Sequence, residues 1–267
     1  MQRRTLLTAA GYTAACSALA PLGNAHAQVT DLNDAINKAG RQRMLSQRVG
    51  KAWLALSHKA DTPTARQVLG QSIALFERQL AELKAFAPSP AIRETYVKLE
   101  TAWAAHKVTL AAETSSADNA SAMLQADAKV LALAHQGTTQ YEAALGKPVG
   151  QLVNVAGRQR MLSQRMAKFY LAAMLPVDAA TATTEIAKAR GEFIAATELL
   201  RNAPQATSRI RQELQLADGQ WVFFDAALQR MQGGGNVNRQ VAEVFVASEN
   251  LLGSMDRVTG LYAALSA

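Results

Sequence analysis

Apolar residues recur three and four positions apart through nearly the whole chain, the spacing of one face of an α-helix. Over residues 28–59 the apolar positions include Ile36, Leu45, Val49, Ala52, Leu54 and Leu56. Asp61-Thr62-Pro63 reads as a stop and restart, a capping residue followed by proline at the first helical position. A second helix is predicted over 64–87 with Val68, Ile73, Phe76, Leu80 and Leu83 on one side, ended by Pro88-Ser89-Pro90 with Ser89 as the next cap. A third, over 91–113, carries Tyr96, Leu99, Trp103 and Leu110. After a loop at Ser115-Ser116-Ala117-Asp118 a fourth runs over 119–145, closed by Gly146-Lys147-Pro148.

The order then repeats. Helices are predicted over 149–175, 179–202, a segment around Trp221, and 237–265, with breaks at Pro176-Val177-Asp178, near Pro204 and at Gly233-Gly234-Gly235. Phe193 answers Phe76, Trp221 answers Trp103, and Tyr262 answers Tyr141. The tryptophans read as core anchors. Four amphipathic helices with short connections favour an up-down-up-down bundle. The expected fold is therefore all-α: two tandem up-down-up-down four-helix bundles related by a pseudo-twofold axis, over residues 28–147 and 148–267. A repeat this long is a duplicated domain and not a solenoid unit.

The duplication is sharpest at Ala39–Arg48, A-G-R-Q-R-M-L-S-Q-R, which returns letter for letter at Ala156–Arg165, 117 residues later. With Gly40 at zero on a helical wheel, Ile36, Arg43, Met44 and Gln47 fall within roughly 60° of it, while Leu45, Val49, Ala52 and Leu56 gather on another side. The apolar side should face its own bundle. The other needs a second surface, and Gly40 suits a close backbone approach there despite costing about 1 kcal/mol in a helix interior relative to alanine. Gly157, Arg160, Met161 and Gln164 repeat the pattern. If the two faces meet, two guanidiniums converge, and burying them unpaired is expensive. An anion between them would remove the repulsion, and the guanidinium fork suits a planar oxyanion. The alternative is that the arginines are solvated or paired with nearby acids: Asp31, Asp34, Glu77 and Glu82, or Glu185 and Glu192. Arg41 and Arg48 are the ones expected to make such pairs. Ser46 and Ser163 are expected to bond a preceding carbonyl.

Composition narrows the class. Of 267 residues, 49% are hydrophobic and 18% charged, with few aromatics, which suits close-packed helices. The net charge of +7 permits anionic partners, but no long basic run with interleaved aromatics argues for nucleic acid. Residues 1–27 read as an export signal: a basic start, an uncharged weakly apolar middle, and Ala25-His26-Ala27 before Gln28. Arg3-Arg4-Thr5-Leu6-Leu7 resembles a twin-arginine signal, with general secretory export as the alternative. The only cysteine, Cys16, lies in that segment, and a lipoprotein site there is a lesser alternative. The mature chain then has no thiol, no disulfide and no run long enough to span a membrane, and the periplasm is its expected location.

The box Ala39–Arg48, preceded by Ile36-Asn37-Lys38, resembles the opening of PilJ-type sensor domains, found at the N-terminus of type IV pili methyl-accepting chemotaxis transducers. It is similar to a box in the periplasmic domains of nitrate/nitrite sensor histidine kinases. The resemblance implies a periplasmic four-helix bundle, with anion bound between the first helices of two subunits, here two tandem copies. It places the anion-binding arginine on Arg43 and Arg160, the close-approach glycine on Gly40 and Gly157, and a lysine on Lys38 alone, since Val155 holds that position in the second copy. Gln47 and Gln164, on the same wheel face, complete the candidate site. Arg41, Gln42, Leu45 and Gln47 depart from the nitrate-sensor box and match the pili-type version. Family members usually continue into a membrane helix and a kinase or methyl-accepting module. Neither follows before Ala267, so the expectation is a free-standing periplasmic sensor of nitrate or nitrite reporting to a receptor, transporter or pilus component. Two other readings stand: an interaction module of pilus or chemotaxis signalling without a small-molecule ligand, and a purely structural box. His58, His106 and His135 form no metal pair, and nucleophile-elbow, phosphate-loop and dinucleotide motifs are absent, so no cofactor and no enzyme chemistry are expected.

Overall fold

A computed structural model describes residues 28–112, 117–175, 179–230 and 236–265. The export signal, Cys16, Ser115-Ser116, Pro176-Val177-Asp178 and Gly233-Gly234-Gly235 lie outside the described residues. All regular structure among the described residues is helical: α1 Leu32–Ser57, α2 Thr62–Phe86, α3 Pro90–Leu110, α4 Ala117–Leu145, α5 Pro148–Ala173, α6 Ala179–Asn202, α7 Ser208–Gln229 and α8 Val237–Ala263.

Local chemistry sets several ends. Asp31, Ser89, Thr207 and Asn236 accept a hydrogen bond from the backbone N–H three residues on, holding the first turns of α1, α3, α7 and α8. Asp61 does not cap as expected. It sits in the left-handed region at φ 41°, makes no side-chain cap bond, and α2 already starts at Thr62. Ala117 and Asp118 belong to α4 and not to the preceding loop.

Helices α1–α4 form one bundle and α5–α8 the other. In the first, α1 lies between α2 and α4, and α3 covers α4; in the second, α5 lies between α6 and α8, and α7 covers α8. The most extensive packing in the molecule is between α1 and α5. Ile36 meets Gly150 and Lys168 meets Gly50, so these two helices run parallel in the register of the repeat. Nineteen of the 26 residues of α1 are buried, against seven of 25 in α2, because α1 has helices on several sides. One contiguous apolar cluster therefore passes through both bundles.

Equivalent contacts recur in each copy. Phe76 stacks on Trp103 at 3.9 Å and Phe193 on Trp221 at 4.5 Å between ring centres. The buried Tyr141 and Tyr262 hydroxyls donate to the carbonyls of Leu83 and Leu200 at 2.7 and 2.6 Å. The Gln42 and Gln159 amides donate to the carbonyls of Phe76 and Phe193. The glutamine bonds tie each motif helix to its own bundle, and the tyrosine bonds tie α4 to α2 and α8 to α6.

Candidate functional site

The repeated decapeptide brings its two copies together at the α1–α5 crossing. A Cβ built on Gly40 would stand 3.7 Å from Gly157 Cα, and one built on Gly157 would stand 3.7 Å from Gly40 Cα. Those distances are ordinary van der Waals contacts, so it is the side chains at the crossing, and not the facing backbone, that a methyl would press on. The room is taken by the guanidiniums. Arg43 Nη2 lies 3.3 Å from the Gly40 Cβ position and 3.6 Å from that of Gly157, and Arg160 Nη2 lies 3.5 and 3.3 Å from the same two. Each arginine then reaches across: Arg43 Nη2 donates to the Asn154 carbonyl at 3.2 Å and Arg160 Nη2 to the Asn37 carbonyl at 2.9 Å. The backbone of each motif helix is thus bridged to the other by a charge-assisted hydrogen bond.

The two arginines differ in their remaining partners. Arg160 Nη1 donates to Asp256 Oδ1 at 2.6 Å, and the same oxygen accepts from Arg41 Nη2 at 2.9 Å. Arg43 Nη1 instead donates to His135 Nδ1 at 3.3 Å. His135 and Asp256 each stand six residues before the buried tyrosine of their bundle, so they are equivalent positions with different chemistry. A guanidinium can only donate, so this imidazole is neutral and carries its proton on Nε2. Burial, with Arg43 and Arg158 beside it, holds the His135 pKa below its ordinary value, as that tautomer requires. Both Nε atoms, of Arg43 and Arg160, are buried without a partner.

The electrostatics follow from that difference. Burial pushes the Arg43 pKa down to about 9, aided by Arg158 and Arg160, with Glu142 opposing. Arg160 is pushed down to about 10 by burial and by Arg41, with Asp256 opposing. Burial raises the Asp256 carboxyl, but Arg160 and Arg41 outweigh it and hold it at about 2. Of the two fully buried cations only Arg160 bonds a carboxylate, Asp256, while Arg43 feels Glu142 without a bond to it.

Four of the seven residues expected at the site, Gly40, Gly157, Arg43 and Arg160, meet at the crossing. The other three do not. Lys38 turns to Glu82 at 2.9 Å and Asp34 at 3.2 Å. Gln47 donates to both oxygens of Asp127 at 2.9 Å, and Gln164 to the Ser248 carbonyl at 3.0 Å. Ser46 and Ser163 bond the carbonyls of Arg43 and Arg160, as expected. Arg41 and Arg48 do pair with acids, but with Asp256 and Glu249 of α8, from outside the set of acids considered for them. Arg158 and Arg165 take Glu192 and Glu185, both from that set.

A second layer was missed altogether. Lys51 of α1 reaches Ser248 Oγ at 2.8 Å and Glu249 at 2.6 Å in α8, while Lys168 of α5 pairs with Asp127 in α4. Each bundle's motif helix is thus bonded to the other bundle. The signal was available, because Lys51 and Lys168 follow the two boxes at the same distance. Burial pushes Lys51 down to about 8, although Glu249 opposes it.

Two copies of a helical bundle are joined through a parallel pair of arginine-bearing helices, α1 and α5. The sequence agrees: residues 25–134 and 143–247 match the family described as type IV pili methyl-accepting chemotaxis transducer N-terminal, PilJ, and the chain belongs to that family. No curated protein and no solved structure matches it. Among the described residues, no helix is long and apolar enough to cross a membrane.

Proposed function

We propose that this chain is a sensor in pilus or chemotaxis signalling that binds a small planar oxyanion, nitrate or nitrite, at the α1–α5 crossing. The observation that carries the reading is the pair of fully buried guanidiniums held over Gly40 and Gly157, of which Arg160 alone has a bonded carboxylate, Asp256. At pH 7 an arginine with a pKa of about 9 is still charged, and Arg43 bonds only a neutral imidazole and a carbonyl, with Glu142 near but making no bond to it. An anion beside Arg43 would offset that buried charge, and a planar one matches the guanidinium fork. Binding there would draw on donors that now bridge the two motif helices, which links occupancy to the α1–α5 contact. In this reading residues 1–27 export the chain to the periplasm, the repeats are 28–147 and 148–267, and the signal passes to a protein partner: a receptor, a transporter or a pilus component.

The test is thermal unfolding of the full chain against sodium nitrate, nitrite, chloride, formate, bicarbonate and sulfate at fixed ionic strength. A ligand at about 100 times its Kd stabilises by about 2.7 kcal/mol, which moves the midpoint by several degrees in a protein of this size. Nitrate or nitrite should shift the midpoint in the wild type and fail to do so in Arg43→Ala and in Arg160→Ala, with helical content retained. A flat panel, or variants that respond as the wild type does, sinks the assignment and leaves the protein-interaction reading.

A further inference from the structure

We infer that the cleft between α4, α5 and α6 is a separate binding site, for a small organic carboxylate with an apolar body. The evidence is a comparison of this cleft with its pseudo-symmetric counterpart, the groove between α8, α1 and α2. In that groove α8 supplies two carboxylates of its own. Asp256 accepts from Arg160 and Arg41, and Glu249 accepts from Arg48 at 2.5 Å and from Lys51 at 2.6 Å. The positions equivalent to Asp256 and Glu249 on α4 are His135 and Ala128. With no acid at those two positions, the arginines of α5 turn to the opposite wall, Arg158 to Glu192 and Arg165 to Glu185, each at 2.6 Å.

What remains on the α4 side is an open volume of about 290 Å³. Its apolar lining includes Ala128, Leu131, Ala132 and Met161, and its charged lining holds Arg43, Arg158, Arg165 and Lys188 beside His135, with the acids Glu192 and Glu185 already bound to Arg158 and Arg165. That volume equals roughly ten water molecules, far more than a three-oxygen anion fills, and it lies near the lower limit for small-molecule sites. A carboxylate seated beside His135 takes the place that Asp256 holds in the twin groove and accepts from Arg43 and Arg158. Arg158 has committed Nε and Nη2 to Glu192, so the fork keeps a further edge. The apolar body lies in the space that the Glu249 side chain would need, against methyl and thioether groups. The duplication thus leaves one groove filled by its own acids and the other suited to an acid from outside. This site shares Arg43 with the crossing but no other residue of the oxyanion reading, so either can fail alone.

The experiment is calorimetric titration of the full chain with benzoate and isovalerate, with benzamide and isovaleramide as uncharged controls and nitrate as a separate arm. Both carboxylates should bind saturably and both amides should not. Ala128→Glu and His135→Asp each write into α4 the residue that α8 already carries at the equivalent position, and each should weaken carboxylate binding at least tenfold while keeping the helical content. Where either variant loses its helices, Arg158→Gln, on a part-exposed ion pair, carries the same expectation. Ala128→Glu should leave any nitrate response intact, which separates this site from the crossing. Carboxylate binding with a silent nitrate arm supports the cleft and sinks the oxyanion reading alone. No saturable carboxylate binding up to roughly ten millimolar, equal binding of acid and amide, or binding unchanged in the folded variants overturns the inference.

Discussion

The Lys168–Asp127 pair offers a measurable test of the pseudo-symmetry, through Asp127→Ser. Both side chains are essentially inaccessible, at 2% and 0% exposure. Asp127 also accepts from the Gln47 amide. Burial raises the Asp127 carboxyl, but Lys168 and His106 outweigh it and hold it below its ordinary value; burial lowers Lys168 despite Asp127. Removing one partner of a buried ion pair costs about 3–5 kcal/mol. A ceiling comes from proton loss: at about 1.36 kcal/mol per pH unit, neutralising an ordinary lysine at pH 7 costs about 4.6 kcal/mol. The expected loss is therefore about 3–4.5 kcal/mol, read from urea unfolding followed by far-ultraviolet circular dichroism. In the variant the unfolded chain holds a lysine proton that the folded chain gives up, so stability rises with pH and the gap to the wild type narrows above pH 7. The twin position shows the remedy. Ser248 and Glu249 hold Lys51 in α8, so Asp127→Ser combined with Ala128→Glu should recover at least half of the loss. A single-variant loss under about 1 kcal/mol, or a double variant no more stable than the single, would refute the equivalence of α4 and α8.

Two further outcomes follow from the crossing. Gly40→Ala places a methyl 3.3 Å from Arg43 Nη2 and 3.5 Å from Arg160 Nη2, the far ends of long side chains. Its gain of about 1 kcal/mol in helix propensity offsets part of their displacement, so urea unfolding should stay within about 1 kcal/mol of the wild type, whereas Gly40→Leu should lose about 2–3 kcal/mol by overpacking against α5. Glu249 and Asp256 are both held at about 2, so the stability they contribute is complete above the ordinary carboxyl range and is lost as pH falls from about 4.5 towards 2. An acid unfolding series should show this limb, and Glu249→Gln should flatten it.

The duplication, the eight helices and the glycine–arginine spacing were all legible in the chain, because each is periodic or local. A ten-residue identity needs no fold to be seen, and helical spacing of Val68, Phe76, Leu80 and Leu83 reports a helix with one buried face, which α2 is. The wheel failed where that premise fails. Helix α1 is buried on several sides, so Gln42, Gln47 and Lys51 are interior although they are polar, and Gln47 turns to α4 instead of the crossing. Lys38 was assigned by resemblance to an anion site, and a neighbouring acid, Glu82 of α2, claims it instead. Counter-ions were the hardest part. Arg41 and Arg48 find Asp256 and Glu249 about 200 residues away, and nothing local distinguishes those acids from surface ones. The same holds for His135, a residue without an evident role until it stands where Asp256 stands in the other bundle. Spacing along the chain places a side chain on a helix face; which charge meets it depends on the helix that packs there, and that is settled only when α4 and α8 close on the two motif helices.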